Sequence, residues 1–330
     1  MSAPFELRPF DPARAGEIVA VWNAAAGGPF PLREALFLQN TVQDPHFDPA
    51  GAVIACEPST GRVVGCGIAK VARVPLGADG LRPDRGWLSF VVVHPDQQRR
   101  GLGTALLRAG EAFLRAKERP AAMLGSDPAH FFPGVPDDTD ASGFFEAQGY
   151  ALRGEAYDLC RSLRGYRTPP AVAEALRDNA GVDIRSLVHG EEAALLAFLD
   201  ATFPGRWRYT IGRFLDGGGP IGDIVGAVRG GTVSGFAQLF HPASRWIGPS
   251  VAWGTPGAGP DARTGGLGPM GLSSALRGRG LGLALVDRAI VHLAALGVDD
   301  MVIDWTILLE FYGRLGFTPC RRYRHSERSL

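Results

Sequence analysis

Two ten-residue segments of this chain are near copies of each other, and this repeat constrains the fold more than any other feature. The segment reads QRRGLGTALL at residues 98–107 and RGRGLGLALV at residues 277–286. A second landmark, FFEAQGY at residues 144–150, returns in the same order as FYGRLGF at residues 311–317. Two landmarks that recur in one order indicate an internal duplication, so we expect two domains of similar topology within the 330 residues.

The spacing of the landmarks predicts where the halves differ. The two landmarks begin 46 residues apart in the first half and 34 in the second, which predicts a 12-residue insertion between Asp127 and Ser142. We expect an N-terminal domain over residues 1–163, a linker over residues 164–181, and a C-terminal domain over residues 182–330. The Pro169–Pro170 pair and several charges mark the linker.

Hydrophobic periodicity predicts the same order of elements in both halves. The predicted strands of the first half are residues 5–10, 52–56, 63–71 and 87–93, and its predicted helices are residues 12–25, 32–43 and 100–117. The second half repeats this scheme with a strand at 182–188, a hairpin at 224–240, a strand at 268–272, and helices at 191–203 and 280–296. The predicted fold class is α/β (α+β), with helices flanking a sheet in each half.

The charge balance argues against a polyanionic partner. Lys plus Arg and Asp plus Glu both number 34, so the net charge is zero and no nucleic-acid partner is expected. Residues 1–6 lack a basic region followed by an apolar run, so no signal peptide is predicted. Charged residues interrupt every stretch that approaches the roughly 20 residues needed to cross a bilayer. We therefore expect a cytoplasmic protein with no membrane partner.

The cysteines and histidines predict neither a disulfide framework nor a metal site. Cys56, Cys66, Cys160 and Cys320 are widely spaced and form no CxxC pair, so we expect buried thiols in a reducing compartment. A hairpin could bring Cys56 opposite Cys66, but two separate core thiols are the expected arrangement. The histidines show no spacing typical of metal ligands, so the predicted metal content is none.

The repeated glycines lie where a predicted strand passes into a helix. Unpaired backbone N–H groups and the positive end of the helix dipole converge at such a junction. Without side chains at Gly101 and Gly103, or at Gly280 and Gly282, a pyrophosphate could contact these amides directly. The repeated motif therefore predicts a phosphate-binding turn in each half; a turn without a ligand is the alternative.

Other nucleotide and nucleophile motifs do not fit. GxxxxGK[ST] is absent, which gives no support to a nucleotide P-loop. GxGxxG occurs at residues 217–222 and 266–271, but neither match follows a strand and opens a helix. Residues 248–252 lack the final glycine of a GxSxG nucleophile elbow, which disfavours covalent serine catalysis.

Residues 93–103, VHPDQQRRGLG, resemble the acetyl-CoA signature Q/R-x-x-G-x-G/A of the GNAT superfamily of N-acyltransferases, and residues 277–282 satisfy it again. FYGRLGF is similar to the late helix of that family. The resemblance implies two tandem GNAT domains, each with a mixed, splayed, mostly antiparallel sheet, and acetyl-CoA (coenzyme A) as the cofactor. The implied cofactor-binding residues are Val92, Val93, Gln98, Arg99, Arg100, Gly101, Leu102, Gly103 and Thr104 in the first half, and Gly271, Leu272, Arg277, Gly278, Arg279, Gly280, Leu281 and Gly282 in the second.

Acyl transfer to an amine needs a proton for the departing thiolate and a base for the amine. The resemblance implies that Tyr312 is the acid, and a Tyr of pKa about 10 can protonate a thiolate whose thiol has a pKa of about 8.5; packing of the last helix is the alternative role. The matching residue is Phe145, so the first domain is expected to be degenerate. Asp304 is the candidate base, and together with Glu310, six residues later, it could accept the proton of the amine directly or through water. Capping of a helix at Thr306 is the alternative role of Asp304.

Loops are expected to supply the contacts with the acceptor. Arg206 and Trp207 lie in an aromatic and cationic segment at residues 203–209, and Trp246 opens a long Gly/Pro loop at residues 246–264. The sequence HFFPGVP at residues 130–136 is expected either to line the first cleft or to bridge the domains.

The favoured hypothesis is an acetyl-CoA-dependent N-acetyltransferase that acts on a small-molecule amine by direct attack on the thioester, with the C-terminal domain catalytic. One alternative is a non-catalytic acyl-CoA-binding or scaffold protein. Another is a mycothiol-synthase-like acetyltransferase, which would acetylate a cysteinyl amino-sugar. The expected assembly is a monomer or a homodimer.

Overall fold

The structure is a computed structural model that describes residues 5–137, 139, 141–259 and 261–330. Residues 1–4 of the segment predicted to lack a signal peptide, Asp138 and Asp140 of the predicted insertion, and Pro260 of the predicted long loop lie outside the described residues. The described chain divides into two compact units. Unit 1 comprises residues in the ranges 1–75, 80–156 and 321–330, and unit 2 comprises residues 76–79 and 157–320.

Unit 1 is a mixed sheet with helices packed on it. Its elements in chain order are β1 (Glu6–Pro9), α1 (Ala15–Ala26), α2 (Glu34–Asn40), β2 (Ala52–Cys56), β3 (Val63–Lys70), β4 (Gly86–Val93), α3 (Leu102–Ala116), β5 (Ala121–Leu124), β6 (Val135–Pro136), α4 (Ala141–Ala147) and the first part of β7 (Ala151–Ser162). Strands β1 to β4 pair antiparallel in chain order, and β4 pairs with β5 in parallel. Leu106, Leu107 and Leu114 form the apolar face of α3 and are buried against this sheet.

Unit 2 has the same plan. Its elements in chain order are α5 (Pro170–Asp178), β8 (Asp183–Ser186), α6 (Glu192–Thr202), α7 (Arg206–Asp216), β9 (Ile224–Arg229), β10 (Thr232–Phe240), β11 (Thr264–Leu272), α8 (Leu281–Ala295), β12 (Asp300–Thr306), α9 (Leu309–Gly313) and the start of β13 (Thr318–Ser329). Strands β8 to β11 pair antiparallel in chain order, and β11 pairs with β12 in parallel.

The repeated topology confirms the predicted fold class, and the last strand of each unit comes from the other half of the sequence. Residues 157–162 of β7 pair with β12 in unit 2, and residues 327–329 of β13 pair with β5 in unit 1. Among the described residues, the helices are too short or too polar to span a bilayer.

Two segments have more regular structure than the sequence predicts. The predicted linker at residues 164–181 contains α5, which begins at Pro170, where a proline suits the first turn of a helix. Val172 on α5 is 2% exposed and belongs to the core of unit 2. The predicted loop at residues 203–209 contains the beginning of α7. The helix was not predicted because polar and aromatic residues interrupt its apolar period.

The prediction that the cysteines form no disulfide is wrong for one pair. Cys160 on β7 and Cys320 on β13 form a disulfide across 160 residues of sequence, with their Cα atoms 5.8 Å apart. Such a separation leaves no local signal in the sequence. Cys56 and Cys66 are buried thiols as expected. The strand register places Cys66 opposite Ile54, so the two thiols do not face each other, and burial raises the pKa of Cys66.

Candidate active site

The repeated motif forms the same turn before α3 and before α8. Gly101 and Gly280 cap the two helices in the left-handed region, with φ values of +83° and +75°. Two residues earlier, Arg99 and Gly278 also have positive φ values, of +62° and +73°. Such alternation turns successive backbone N–H groups into a concave anion site, which the first turn of the helix extends. A Cβ added to Gly101 would meet no atom within 4 Å, and the same holds for Gly278, whereas a Cβ added to Gly280 would lie 2.6 Å from Ala175.

Other residues of the motif hold this turn in place. Gln98 donates a hydrogen bond from Nε2 to the carbonyl oxygen of Val93, at 3.1 Å. At the equivalent place in unit 2, Arg277 donates from Nε to the carbonyl oxygen of Leu272, also at 3.1 Å. These side chains tie the end of the motif strand to the turn. Leu102 and Leu281 are buried in the cores and are fixed by packing.

The second glycine of each motif makes room for an aromatic ring. A Cβ on Gly103 would lie 3.5 Å from the Phe144 ring, and a Cβ on Gly282 would lie 3.3 Å from the Phe311 ring. The second landmark of each half therefore packs on the first. This contact gives a physical reason why the two landmarks recur together in the sequence.

The parallel strands β11 and β12 of unit 2 separate after a short paired stretch, and we call the space between them the cleft. Their pairing runs from Thr264 to Leu267 on β11 and ends there among the described residues. Immediately beyond, Gly268 and Pro269 form a bulge opposite Gln238 of β10. Residues 268–270 are partly exposed, so the edge of β11 that faces the cleft is accessible.

Asp304 lies on β12 at the point where the two strands separate. A second bulge occurs there, because the backbone N–H of Trp305 donates to a carboxylate oxygen of Asp158 at 3.2 Å and Trp305 has a φ of +48°. The pKa of Asp304 is raised to about 8, mainly by burial and then by the nearby Asp158 carboxylate, while a backbone hydrogen bond and the positive charge of Arg206 act in the opposite direction. Asp304 lies within a strand and the next helix begins at Leu309, so helix capping is not its role.

Tyr312 is buried on α9 beside this carboxylate. It is 5% exposed, and its ring packs edge-on against Phe311 and Phe317, with centroid distances of 4.9 and 6.3 Å. Burial, and then the charge of Asp304, raise the pKa of Tyr312. The phenol therefore stays protonated through the physiological range and is available to donate a hydrogen bond.

The sequence matches the family model of the acetyltransferase (GNAT) family twice, at residues 19–133 and 193–317. The chain belongs to the acetyltransferase (GNAT) family. The two matches fall on the two halves of the duplication, and the resemblance seen in the glycine motifs is confirmed.

Several GNAT relatives share long stretches with this chain. It is 31% identical to a mycothiol acetyltransferase of Parafrankia sp. (strain EAN1pec) over 247 residues, which cover 69% of this chain and 71% of the relative. It is 36% identical to a mycothiol acetyltransferase of Thermobispora bispora over 127 residues, which cover 38% of this chain and only 41% of that relative. The glucosamine N-acetyltransferase region of a fungal multi-domain GH3 β-N-acetylglucosaminidase has a TM-score of 0.86 at 26% identity, covering 99% of this chain and 38% of that one.

Unit 1 of this GNAT chain lacks both candidate catalytic side chains. Ala122 pairs with Gly86 in unit 1, and Met301 pairs with Gly265 at the same place in unit 2. Three residues further along each strand, Gly125 therefore occupies the place of Asp304. Phe145 occupies the place of Tyr312. The nearby phenol of Tyr150 donates to the buried Glu111 at 3.0 Å, which engages it within the core.

Aromatic side chains also fill the corresponding face of unit 1. Phe90 follows the bulge of β4, and the Phe131 ring packs edge-on against it at 5.3 Å. Phe132 stacks on Trp22 at 5.6 Å. Phe131 and Phe132 belong to the predicted insertion, which therefore packs into unit 1 against β4. Residues 268–270 of unit 2, which correspond to residues 89–91 of β4, are partly exposed.

On the acceptor side of unit 2, the structure brings together two of the three predicted residues. The guanidinium of Arg206 lies 5.1 Å from the centre of the Trp305 ring, and its charge acts on Asp304. Trp207 is 39% exposed and packs on Phe203 at 5.0 Å.

Trp246 lies apart from the other two. Its ring packs on Gly217, just after the last residue of α7, whereas Arg206 and Trp207 begin that helix. An 11-residue helix is about 16 Å long, so Trp246 is far from the cleft.

Sequence analysis missed several residues that shape this site. Asp158 and Trp305 build the bulge that carries Asp304. Phe203, from the aromatic segment singled out in the sequence, covers Gly271, whose added Cβ would lie 2.5 Å from the ring. Ala175 of α5 lies against the glycine turn, 2.6 Å from a Cβ added to Gly280. These residues come from distant parts of the chain and share no motif, so only the topology brings them together.

Proposed function

We propose that this chain is an acetyl-CoA-dependent N-acetyltransferase that acts on a small amine, and that unit 2 is its catalytic unit. The observation that carries the proposal is the β12 bulge, which puts Asp304 at the point of strand separation with Tyr312 beside it. Unit 1 has the same fold but carries Gly125 and Phe145 at these two places.

The residues of the turn fit the proposed cofactor. Left-handed glycines and the first turn of α8 would hold its diphosphate through main-chain N–H groups, with Arg279 nearby in the sequence. The main-chain N–H groups around Gly271 and Leu272 are the proposed donors to the thioester oxygen. Acetyl-CoA, when bound, supplies the acetyl thioester. Unit 1 offers an equivalent turn from Arg99 to Thr104, with Val92 and Val93 on its motif strand, and is proposed to bind the cofactor without transferring the acetyl group.

The two side chains handle the two protons of the reaction. The amine gains the acetyl group and loses a proton, and a base whose pKa lies near the working pH is best suited to accept it. Asp304, with a pKa of about 8, meets that requirement. The sulfur leaves with a negative charge, and the buried phenol of Tyr312 donates a hydrogen bond or its proton to that sulfur.

An amino sugar is the acceptor class that the comparisons favour. The structurally similar fungal region is described as a glucosamine N-acetyltransferase, and the curated relatives are mycothiol acetyltransferases. We also propose a cytoplasmic location, a compartment in which the Cys160–Cys320 disulfide would be unusual.

The proposal is tested by measuring CoA release with a panel of amines that includes glucosamine and a cysteinyl amino-sugar. We expect turnover with at least one amino sugar. Calorimetric titration with CoA then counts the sites, because two competent turns bind two equivalents and one binds one. Tight CoA binding without acetylation of any amine would support the acyl-CoA-binding alternative instead.

A further inference from the structure

Four residues from the first half of the sequence belong to unit 2. Leu76 to Asp79 lie in the loop between β3 and β4 and pack against the segment that precedes α7. The backbone N–H of Ala78 donates to the carbonyl oxygen of Pro204 at 2.7 Å. Leu76 is 2% exposed and anchors this short segment.

The same segment caps helix α7. The residue before the helix is Gly205, which has no side chain to accept a hydrogen bond from the first turn. The carboxylate of Asp79 takes that place, because its Oδ2 accepts the backbone N–H of Arg206 at 2.8 Å. A carboxylate at a helix N-terminus is also favoured by the helix dipole.

Two glycines allow this close approach. A Cβ on Gly205 would lie 2.5 Å from the Asp79 carboxylate, and a Cβ on Gly77 would lie 2.2 Å from the carbonyl oxygen of Pro204. Gly77 also has a φ of +62°, which disfavours any other residue. The contact therefore depends on glycine at both positions.

The capped end of α7 carries the residues that face the candidate base. Arg206 is the first residue of the helix, and its guanidinium lies over the Trp305 ring. The charged and titratable groups that act on Asp304 are Asp158 from β7 and Arg206 from α7, and Asp304 in turn acts on Tyr312 of α9. Arg206 is the one of these groups that favours the ionised form of Asp304.

We propose that Asp79 is a positioning residue for acetyl transfer in unit 2, holding the first turn of α7 so that Arg206 stays beside Asp304 and Trp305. This inference rests on the proposed function and adds to it a residue that lies outside every motif. Asp79 does not touch the reacting atoms. It acts through Arg206.

The test compares Asp79→Ala, Asp79→Asn and Asp84→Ala in the full chain. Asp84 lies in the same loop and pairs with Arg82 and Arg85, so its removal controls for the loss of a surface carboxylate. Loss of a helix cap is expected to raise KM for the amine about 5-fold in Asp79→Ala while the Kd for CoA stays unchanged. The acidic limb of the pH profile should move to higher pH, because Arg206 no longer favours ionised Asp304. Asp79→Asn keeps an acceptor oxygen, so its KM for the amine should stay close to that of the wild type.

A readout that needs no activity separates this proposal from the proposed function. Limited trypsin cleavage after Arg206 should become faster in Asp79→Ala, and also in Gly77→Ala, which breaks the same contact by steric overlap. If the wild type is active but Asp79→Ala matches Asp84→Ala in its KM for the amine, its pH profile and its cleavage rate, this proposal alone is overturned. A wild type that acetylates no amine would overturn the proposed function and this proposal with it.

Discussion

Replacing Tyr312 with Phe isolates the contribution of one oxygen atom to the proposed chemistry. The ring of Tyr312 is 5% exposed and packs against Phe311 and Phe317, and Phe keeps these contacts. The change in folding stability should therefore be small. Under the proposed mechanism, what is lost is a buried donor to the sulfur that becomes charged as the acetyl group leaves.

The magnitude follows from the burial of that donor. A hydrogen bond to a charged group is worth about 1.5–3 kcal/mol, which corresponds to a rate loss of roughly 10- to 150-fold. General acids contribute about 10²- to 10⁴-fold. We therefore expect kcat of Tyr312→Phe to fall about 100-fold, with little change in the Kd for CoA. The raised pKa of Tyr312 keeps the phenol protonated, so the defect should be equally large across neutral and mildly alkaline pH.

The assay is continuous CoA release at saturating amine, with binding of CoA measured separately. Tyr166→Phe is the matched control, because it removes a phenol of the same unit that donates to Asp287 at 2.6 Å. This control should retain wild-type kcat. A Tyr312→Phe enzyme that turned over at the wild-type rate would refute the role of the phenol and leave Tyr312 as a packing residue.

Three further predictions concern the base, the glycine turns and the disulfide. Asp304→Asn should slow the reaction and remove the limb of the pH–rate profile near pH 8. Folded Asp304 keeps a proton that the unfolded chain releases near pH 4, so the free energy of unfolding of the wild type should fall between about pH 4 and 8. Urea unfolding should show the variant gaining stability relative to the wild type over that window. Ala at Gly280 should cost more stability than Ala at Gly101, since both strain a left-handed residue by about 1 kcal/mol but only the former meets α5; equal losses would contradict this packing. Reduction of Cys160–Cys320 should lower the free energy of unfolding by up to about 5 kcal/mol, and Cys160→Ser should abolish the sensitivity to reductant; four reactive thiols in the unfolded, non-reduced chain would show that the bond is absent.

The parts of the fold that sequence predicted are those encoded locally. The glycines before α3 and α8 are needed where the chain enters the left-handed region, and the apolar period of both helices is regular, so their positions could be predicted to within about two residues. The bounds of Ala52–Cys56 were predicted as observed. The recurrence of the second landmark reflects a direct contact, because Phe311 packs where Gly282 has no side chain.

The candidate site was less predictable, because it depends on contacts between distant segments. Asp304 and Tyr312 could be named from their places in the motifs, and their roles stay proposals. The bulge that orients Asp304 requires Asp158, which lies 147 residues before its hydrogen-bond partner Trp305. The cap of α7 comes from Asp79, 127 residues before Arg206. No periodicity or spacing marks such pairs, since only the strand topology makes them neighbours.

The end of β13 belongs to unit 1, and this also determines when the chain can finish folding. Residues 321–330 belong to unit 1, and residues 327–329 pair with β5 along what would otherwise be an open strand edge. During synthesis, unit 1 therefore waits for almost the whole chain to leave the ribosome before that edge is covered. A fragment ending at the predicted linker would carry the same open edge permanently, and would be prone to pair with other chains.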